Sequence, residues 1–231
     1  MKKGIYVMDF DDILADLSIE CYRSIRRNWR KYKKYFWDPG ELTTEEVQKR
    51  PCFRMGEWLI QSKYKELSSG QYTTLQLKIH KMITDDFFVR DDIYDNLQPT
   101  EFAKKTLMNP LFIEDPLVSS VVILTRSLTK SQEESKERFI KKYFSNPKIS
   151  VITVRGNESK AQALRENKIY FDVVVDDEIP NIRGIAEEYR NELEKKEFII
   201  PEYGYNKMPP DLKLLIEGKG GSFTYYNPFT K

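Results

Sequence analysis

Asp9, Asp11, Asp176 and Asp177 are the side chains whose type and spacing best suit them to chemistry. Four Asp-Asp pairs occur, at Asp11/Asp12, Asp85/Asp86, Asp91/Asp92 and Asp176/Asp177, and the first and last follow apolar, strand-like runs directly. One aspartate after a strand is commonly a turn residue or a helix cap. Two acid-ended strands say more, because in an open parallel sheet the carboxyl ends of the strands line one crevice. Carboxylates converging there need a cation, and oxygen-only donors with no His or Cys nearby favour Mg2+, a hard ion that bridges protein carboxylates and substrate phosphate. Other chemistries lack their residues: the single histidine, His80, sits in the helical-looking stretch from Thr73 to Val89. Nor does the sequence contain the glycine motifs of phosphate loops, dinucleotide folds or serine hydrolases.

The elements that must position these acids are legible as short runs rich in Val and Ile. Ile5 to Met8, Val121 to Leu124, Ile149 to Val154 and Phe171 to Val175 read as buried parallel strands, with Phe198 to Ile200 as one more. Helical patterns alternate with the later strands. Gln132 to Phe144 puts Phe139, Ile140 and Tyr143 on one face, Glu158 to Asn167 carries Ala161 and Leu164, and a third helix spans about Asn181 to Glu194. Strands alternating with helices predict an α/β fold with right-handed crossovers.

More than 100 residues separate the first strand from the second without a comparable signal, which marks an insertion. Ile19, Tyr22, Ile25, Trp29, Tyr32 and Phe36 recur every three or four residues, predicting one stripe of a long helix. Further helices are expected over Arg54 to Leu67, Thr73 to Val89 and Pro99 to Met108, punctuated by Pro39, Gly40, Pro51 and Gly70. The expected division is a discontinuous core of residues 1–15 and 111–231 around a helical domain of residues 16–110.

Composition bounds the rest. The chain has 231 residues, 38 basic and 36 acidic side chains for a net charge of +2, and 40% hydrophobic residues, a soluble globular balance. Disorder and disulfide frameworks are excluded, and no apolar run approaches the roughly 18 residues of a membrane helix, so no membrane partner is expected. The apolar stretch Ile5 to Met8 meets Asp9 too soon for a secretory core, so a cytoplasmic location is expected, with Cys21 and Cys52 as ordinary reduced thiols. Near-zero net charge gives no global argument for nucleic acid. Oligomeric state is not legible.

These runs carry a resemblance. Ile5-Tyr-Val-Met-Asp9-Phe-Asp11-Asp12-Ile-Leu14 resembles the first motif of the haloacid dehalogenase-like hydrolase superfamily, with Ile13 in place of the usual Thr or Val. Val121-Val-Ile-Leu-Thr125 resembles the second motif, Lys160 in Glu158-Ser-Lys-Ala-Gln-Ala-Leu164 the third, and Val173-Val-Val-Asp176-Asp177 the fourth. The four motifs, in order, cover about Lys2 to Glu188. The resemblance implies a Rossmann-like parallel sheet with helices on both faces and an α-helical cap inserted between the first and second motifs. It implies Asp9 as nucleophile forming an aspartyl-phosphate, and Asp11 as the acid that protonates the leaving oxygen and then activates water. An acid at the second position is the pattern of the phosphatase branch. Mg2+ would be held by the Asp9 carboxylate, the Asp11 main-chain carbonyl, Asp177 directly and Asp176 through water. Thr125 and Lys160 would hold phosphoryl oxygens. Arg155 is a weaker alternative to Lys160.

From Tyr22 to Trp37 seven basic residues and six aromatics occur without an acid, on its face a nucleic-acid surface. Helical spacing separates the classes, however, with Tyr22, Trp29, Tyr32 and Phe36 on the apolar stripe and Arg23, Arg26, Arg27, Arg30, Lys33 and Lys34 largely elsewhere. A core stripe with a solvated basic face is the better reading. A cap that excludes water favours a small phosphorylated metabolite. The aromatic-rich cap, and the resemblance of the Val-Asp-Asp-Glu-Ile-Pro-Asn-Ile segment to nucleotidase members, favour a nucleoside monophosphate. The alternatives are a nucleic-acid end-processing phosphatase and a catalytically silent binding protein on the same fold.

Overall fold

The computed structural model describes residues 4–40, 42–49, 54–203 and 205–227. Strand β1 (Gly4–Met8) runs through its middle because both its faces are covered: Tyr6 and Met8 enter one apolar cluster and Val7 the opposite one. With β2 (Val118–Ser127), β3 (Ile149–Arg155), β4 (Val173–Val175), β5 (Glu197–Pro201) and β6 (Ser222–Tyr226) it forms one sheet in the order β3-β2-β1-β4-β5-β6. All neighbouring pairs are parallel. This is the Rossmann-type order, whose direction reverses between β1 and β4 and so opens a crevice at their carboxyl ends. Gly4 starts β1 at φ 145°, where a Cβ would collide with the Asp172 carboxylate that accepts a hydrogen bond from the Ile5 amide at 2.8 Å.

Between β1 and β2 the chain is helical: α1 (Leu17–Arg27), α2 (Trp29–Tyr32), α3 (Thr44–Gln48), α4 (Met55–Leu59), α5 (Ser69–Ile83), α6 (Glu101–Lys105) and α7 (Pro110–Ile113). It leaves and returns side by side. Ala15 bridges to Pro99, the Asp16 amide donates to the Gln98 carbonyl at 3.1 Å, and the Thr100 amide donates to the Leu14 carbonyl at 3.1 Å. Later helices cover both faces of the sheet. Helix α8 (Lys130–Tyr143) packs Phe139 and Ile140 on the side of the helical insertion. Helices α9 (Lys160–Glu166), α10 (Ile179–Glu188) and α11 (Pro210–Glu217) pack Leu164, Ile182, Ile185, Leu212 and Ile216 on the other.

Several expected elements differ in extent. The long helix over residues 19–36 breaks at Asn28, whose side-chain amide donates to the Ser24 carbonyl and competes with the backbone ladder. Its stripe survives the break, since Tyr22, Ile25, Tyr32 and Phe36 are all buried. The helix expected over Arg54 to Leu67 ends at Leu59, because Ile60 is extended and bridges to Phe36. The helix expected from Thr73 starts earlier, at Ser69, behind a Ser68/Gln71 capping box, and Thr84–Phe88 continues it as a π turn. Helix α10 begins at Ile179, with Pro180 in its first turn, and stops at Glu188, while Tyr189 and Leu193 remain buried in turns beyond it. Cys21 is a buried free thiol, whereas Cys52, with Pro51, lies outside the described residues. Among the described residues no helix is long and apolar enough to cross a membrane.

Candidate active site

Asp9 is the first residue after β1, and its amide donates to the Val175 carbonyl at 2.8 Å, which ties the end of β1 to the end of β4. The chain then turns tightly, with the Leu14 amide returning to the Phe10 carbonyl at 2.9 Å and Phe10, Ile13 and Leu14 wholly buried. That alternation of acids with apolar anchors explains the local sequence: the anchors sink into the core and the carboxylates stay at the rim. Asp12 takes the left-handed conformation at φ 57°. Its carboxylate accepts from the Ser18 amide at 2.7 Å and the Ser18 hydroxyl at 2.5 Å, so it secures the first turn of α1. Burial pushes its pKa up to about 7 against those hydrogen bonds.

Lys160, first residue of α9, points into the end of the sheet because Ser159 caps that helix. Its Nζ lies 2.7 Å from Asp9 Oδ1 and 3.0 Å from Asp176 Oδ2, and all three side chains are less than a tenth exposed. Burial works against its charge, but Asp176 and Asp9 outweigh burial and hold its pKa above the ordinary lysine value. Asp176 is saturated by partners. Besides Lys160 it accepts from the Glu178 amide at 2.8 Å and from Asn181 Nδ2 at 3.2 Å on each oxygen. Burial raises its pKa to about 7, Lys160 acting in the other direction and Asp9 adding to the rise.

Asp177 is different. The Tyr205 hydroxyl donates to its Oδ2 at 2.7 Å, and among the described residues no ammonium or guanidinium pairs with it. Burial, reinforced by Asp176, Asp9 and Asp12, raises its pKa well above the usual carboxylate range, with Tyr205 opposing. One oxygen from each of Asp9, Asp176 and Asp177 lies within 4.8 Å of the others. Three buried carboxylates thus share one lysine. This is a deficit of positive charge that an oxygen-ligated divalent cation fits.

Asp11 and Thr125 lie beside this cluster and are joined to each other by a lysine that the sequence did not single out. Lys136 Nζ donates to Asp11 Oδ2 and to Thr125 Oγ1, each at 2.7 Å. Asp11 Oδ1 is closed to solvent and has no hydrogen-bond partner among the described residues. Thr125 is fully buried. A cleft of about 200 Å3 opens over Asp9, Asp11, Lys160 and Asp177, walled by Leu17, Phe88 and Tyr94 from the insertion. Arg126, Glu178 and Asn181 also line it. Arg126 Nη2 donates to the Glu158 carbonyl at 2.8 Å. Arg155 is turned away to Glu133, at 2.6 Å, and His80 lines a separate cavity within the insertion.

A signal for Lys136 was present, since it falls one turn before Phe139 and Ile140 on the apolar stripe of α8, a position where a lysine must be buried. Tyr205 carries no such signal, because it lies in an irregular loop brought to Asp177 by the fold.

No family model matches the chain, and no curated protein matches it. Solved structures do. A haloacid dehalogenase-like family hydrolase from Streptococcus pneumoniae superposes with a TM-score of 0.52 at 12% identity, covering 98% of this chain and 95% of that one. A protein described as a phosphatase from Clostridium difficile gives 0.50 at 14% identity, again covering 98% of this chain and 95% of that one. The chain therefore has the haloacid dehalogenase-like fold.

Proposed function

We propose that the chain is a Mg2+-dependent phosphomonoester hydrolase that works through an aspartyl-phosphate on Asp9, with a small phosphorylated metabolite as substrate and nucleoside monophosphates as the preferred class. The observation that carries this reading is the Lys160 bridge between Asp9 and Asp176 at the switch point of the sheet, with Asp177 beside it. Enclosing three carboxyl groups and an ammonium together is costly, by several kcal/mol for each that stays ionised. A fold that gains nothing from them chemically would be better served by apolar side chains. The enclosed cluster therefore favours turnover over a silent binding protein, as does the fold shared with hydrolases.

In the proposed reaction an Asp9 carboxylate oxygen attacks phosphorus while the bond from phosphorus to the leaving oxygen breaks, and that oxygen takes the electron pair of the bond and a proton from Asp11. Asp11 then takes a proton from water, whose oxygen attacks the aspartyl-phosphate at phosphorus and frees Asp9 and inorganic phosphate. Lys160 keeps Asp9 aimed and neutralises part of the crowded charge. Asp9, Asp177 and the Asp11 carbonyl would hold Mg2+ directly, and Asp176 through water. The free side of Asp177 and the filled lone pairs of Asp176 support that division. Bound there, the ion supplies positive charge for the phosphoryl oxygens. Lys160 and Thr125 are the proposed phosphoryl contacts. Lys160 lines the cleft, and Thr125 stands behind Lys136.

Residues 16–110 act as the cap in this reading. Leu17, Phe88 and Tyr94 give the leaving group an apolar, partly aromatic wall, which suits a nucleoside better than a second anion. The basic run of α1 and α2 is largely paired within the insertion: Arg23 and Arg27 with Glu20, Arg26 with Asp38, and Lys31 with Asp86. That pairing favours a small substrate over a polynucleotide end. The test is phosphate release with Mg2+ from nucleoside monophosphates, sugar phosphates and a 5'-phosphorylated oligonucleotide, with and without chelator. Chelator-sensitive release, fastest from a mononucleotide, is expected. Release from none of them, or release that survives exhaustive metal removal, overturns the proposal.

A further inference from the structure

Helix α8 buries Gln132, Ser135, Lys136, Phe139 and Ile140, so Lys136 places a charge on an otherwise core-forming stripe. Its side chain is almost wholly enclosed, and its Nζ lies 5.2 Å and 4.8 Å from the ring centroids of Phe10 and Tyr94. An ammonium has three N–H donors. Here each has an acceptor at 2.7 Å: Asp11 Oδ2, Thr125 Oγ1 and the Arg126 carbonyl. Lys136 therefore keeps no donor for a substrate. What it does is divide the lone pairs of its neighbours. Asp11 Oδ2 is occupied, and Asp11 Oδ1 is left without a partner among the described residues, in a place closed to water. Thr125 Oγ1 accepts from Lys136, which leaves its own O–H to be donated.

We propose that Lys136 is a positioning residue for Asp11, holding its carboxyl group through Oδ2 in the orientation from which it exchanges a proton with the leaving group and then with water. The inference rests on the proposed hydrolase reading. It adds a cationic anchor from α8, through which a helix outside the four motifs sets the geometry of the acid. The proton moves from the Asp11 carboxyl group to the leaving oxygen as that oxygen takes the electron pair of its bond to phosphorus. Lys136 itself exchanges nothing.

Leaving-group dependence separates this role from a structural one. An alkyl phosphate needs its leaving oxygen protonated, whereas a nitrophenyl phosphate departs readily as the anion. Measured as kcat/KM with Mg2+, Lys136→Met should slow the alkyl ester roughly 10² to 10³-fold and the nitrophenyl ester by no more than about tenfold. The double variant Lys136→Met with Asp11→Asn should be no slower on the alkyl ester than Asp11→Asn alone, because both changes remove one function. Equal slowing of both esters, or losses that multiply in the double variant, would overturn the inference. If Lys136→Met does not fold, Lys136→Gln, which retains an amide donor, carries the same comparison. If neither folds, Lys136 is a structural ammonium and the inference fails. A wild-type protein inactive on both esters would instead sink the hydrolase reading itself.

Discussion

At the switch point of the sheet, Lys160 meets Asp9 and Asp176 at 2.7 and 3.0 Å, with every participant enclosed. On the insertion, Arg26 meets Asp38 at 2.6 Å with 33% and 54% of the two side chains in water. The distances are alike and the consequences opposite. An exposed pair is screened and contributes about 0 to 1 kcal/mol, whereas a buried pair carries a desolvation cost several times that and is strongly destabilising to break. Proximity of charges therefore does not locate a site in this molecule, and burial without full compensation does. Asp177, enclosed and facing a tyrosine in place of a cation, is the clearest case.

The contrast can be broken by substitution, beginning at the enclosed cluster. Asp9→Asn keeps the side chain's shape but removes the proposed nucleophile, and should lower kcat/KM by roughly 10⁴-fold or more with the fold retained by circular dichroism. Residual activity near wild type in a homogeneous preparation would detach the cluster from the chemistry. Asp11→Asn should cost roughly 10² to 10⁴-fold, steepest for poor leaving groups. An unchanged rate, with the chemical step shown to limit, would contradict its role as the acid.

Moving outward, Arg23→Gln, Arg26→Gln, Arg27→Gln and Arg30→Gln together should change mononucleotide turnover by less than about threefold, since these side chains reach solvent and none of them lines the cleft. If the intact protein prefers a phosphorylated oligonucleotide and the variant loses that preference at matched salt, the insertion is a polynucleotide surface after all. The smallest effect is expected at the seam between the regions. There Arg138 of α8 donates to both oxygens of Asp95 at 2.9 and 2.8 Å, and the Ser135 hydroxyl adds a third bond at 3.1 Å. The hydrogen bonds from Arg138 hold the Asp95 pKa below its ordinary value, so the native state binds fewer protons there than the unfolded chain does. Its contribution is present at neutral pH and lost as the pH falls through the native-state value. Asp95→Asn should lower the melting temperature by roughly 1–2 °C at pH 7, and the difference from wild type should close in strong acid. A gap that widens on acidification would reverse the sign.

The sequence revealed the core better than it revealed the site's surroundings, for identifiable reasons. β1, β2 and β4 announce themselves because strands buried on both faces are nearly continuous Val and Ile, whereas β3 is an edge strand with Ser150 and Val151 exposed and is legible from its Ile and Val content alone. β6 escapes because it is an edge strand, Ser-Phe-Thr-Tyr-Tyr, with alternating half-exposed residues that read equally well as loop. The insertion's stripe was legible while its helix lengths were not: Asn28 and the Phe36 to Ile60 bridge interrupt the backbone without moving the apolar face. Asp9, Asp11, Asp176 and Asp177 are legible as candidates because strand ends are local in sequence. Lys136 and Tyr205 reach the site from 125 and 28 residues away along the chain from their partners Asp11 and Asp177.

The central claim is that the enclosed cluster passes a phosphoryl group through Asp9. It is tested most directly by mixing the Mg2+-loaded protein with excess mononucleotide, quenching in acid within the first turnover, and mapping phosphate on the peptides by mass spectrometry under conditions that preserve acyl phosphates. The account predicts transient phosphorylation on the peptide containing Asp9, absent in Asp9→Asn and absent without Mg2+. Turnover by the wild-type protein with no phosphorylated Asp9 at any quench time, or phosphate that persists on that peptide in Asp9→Asn, would contradict it.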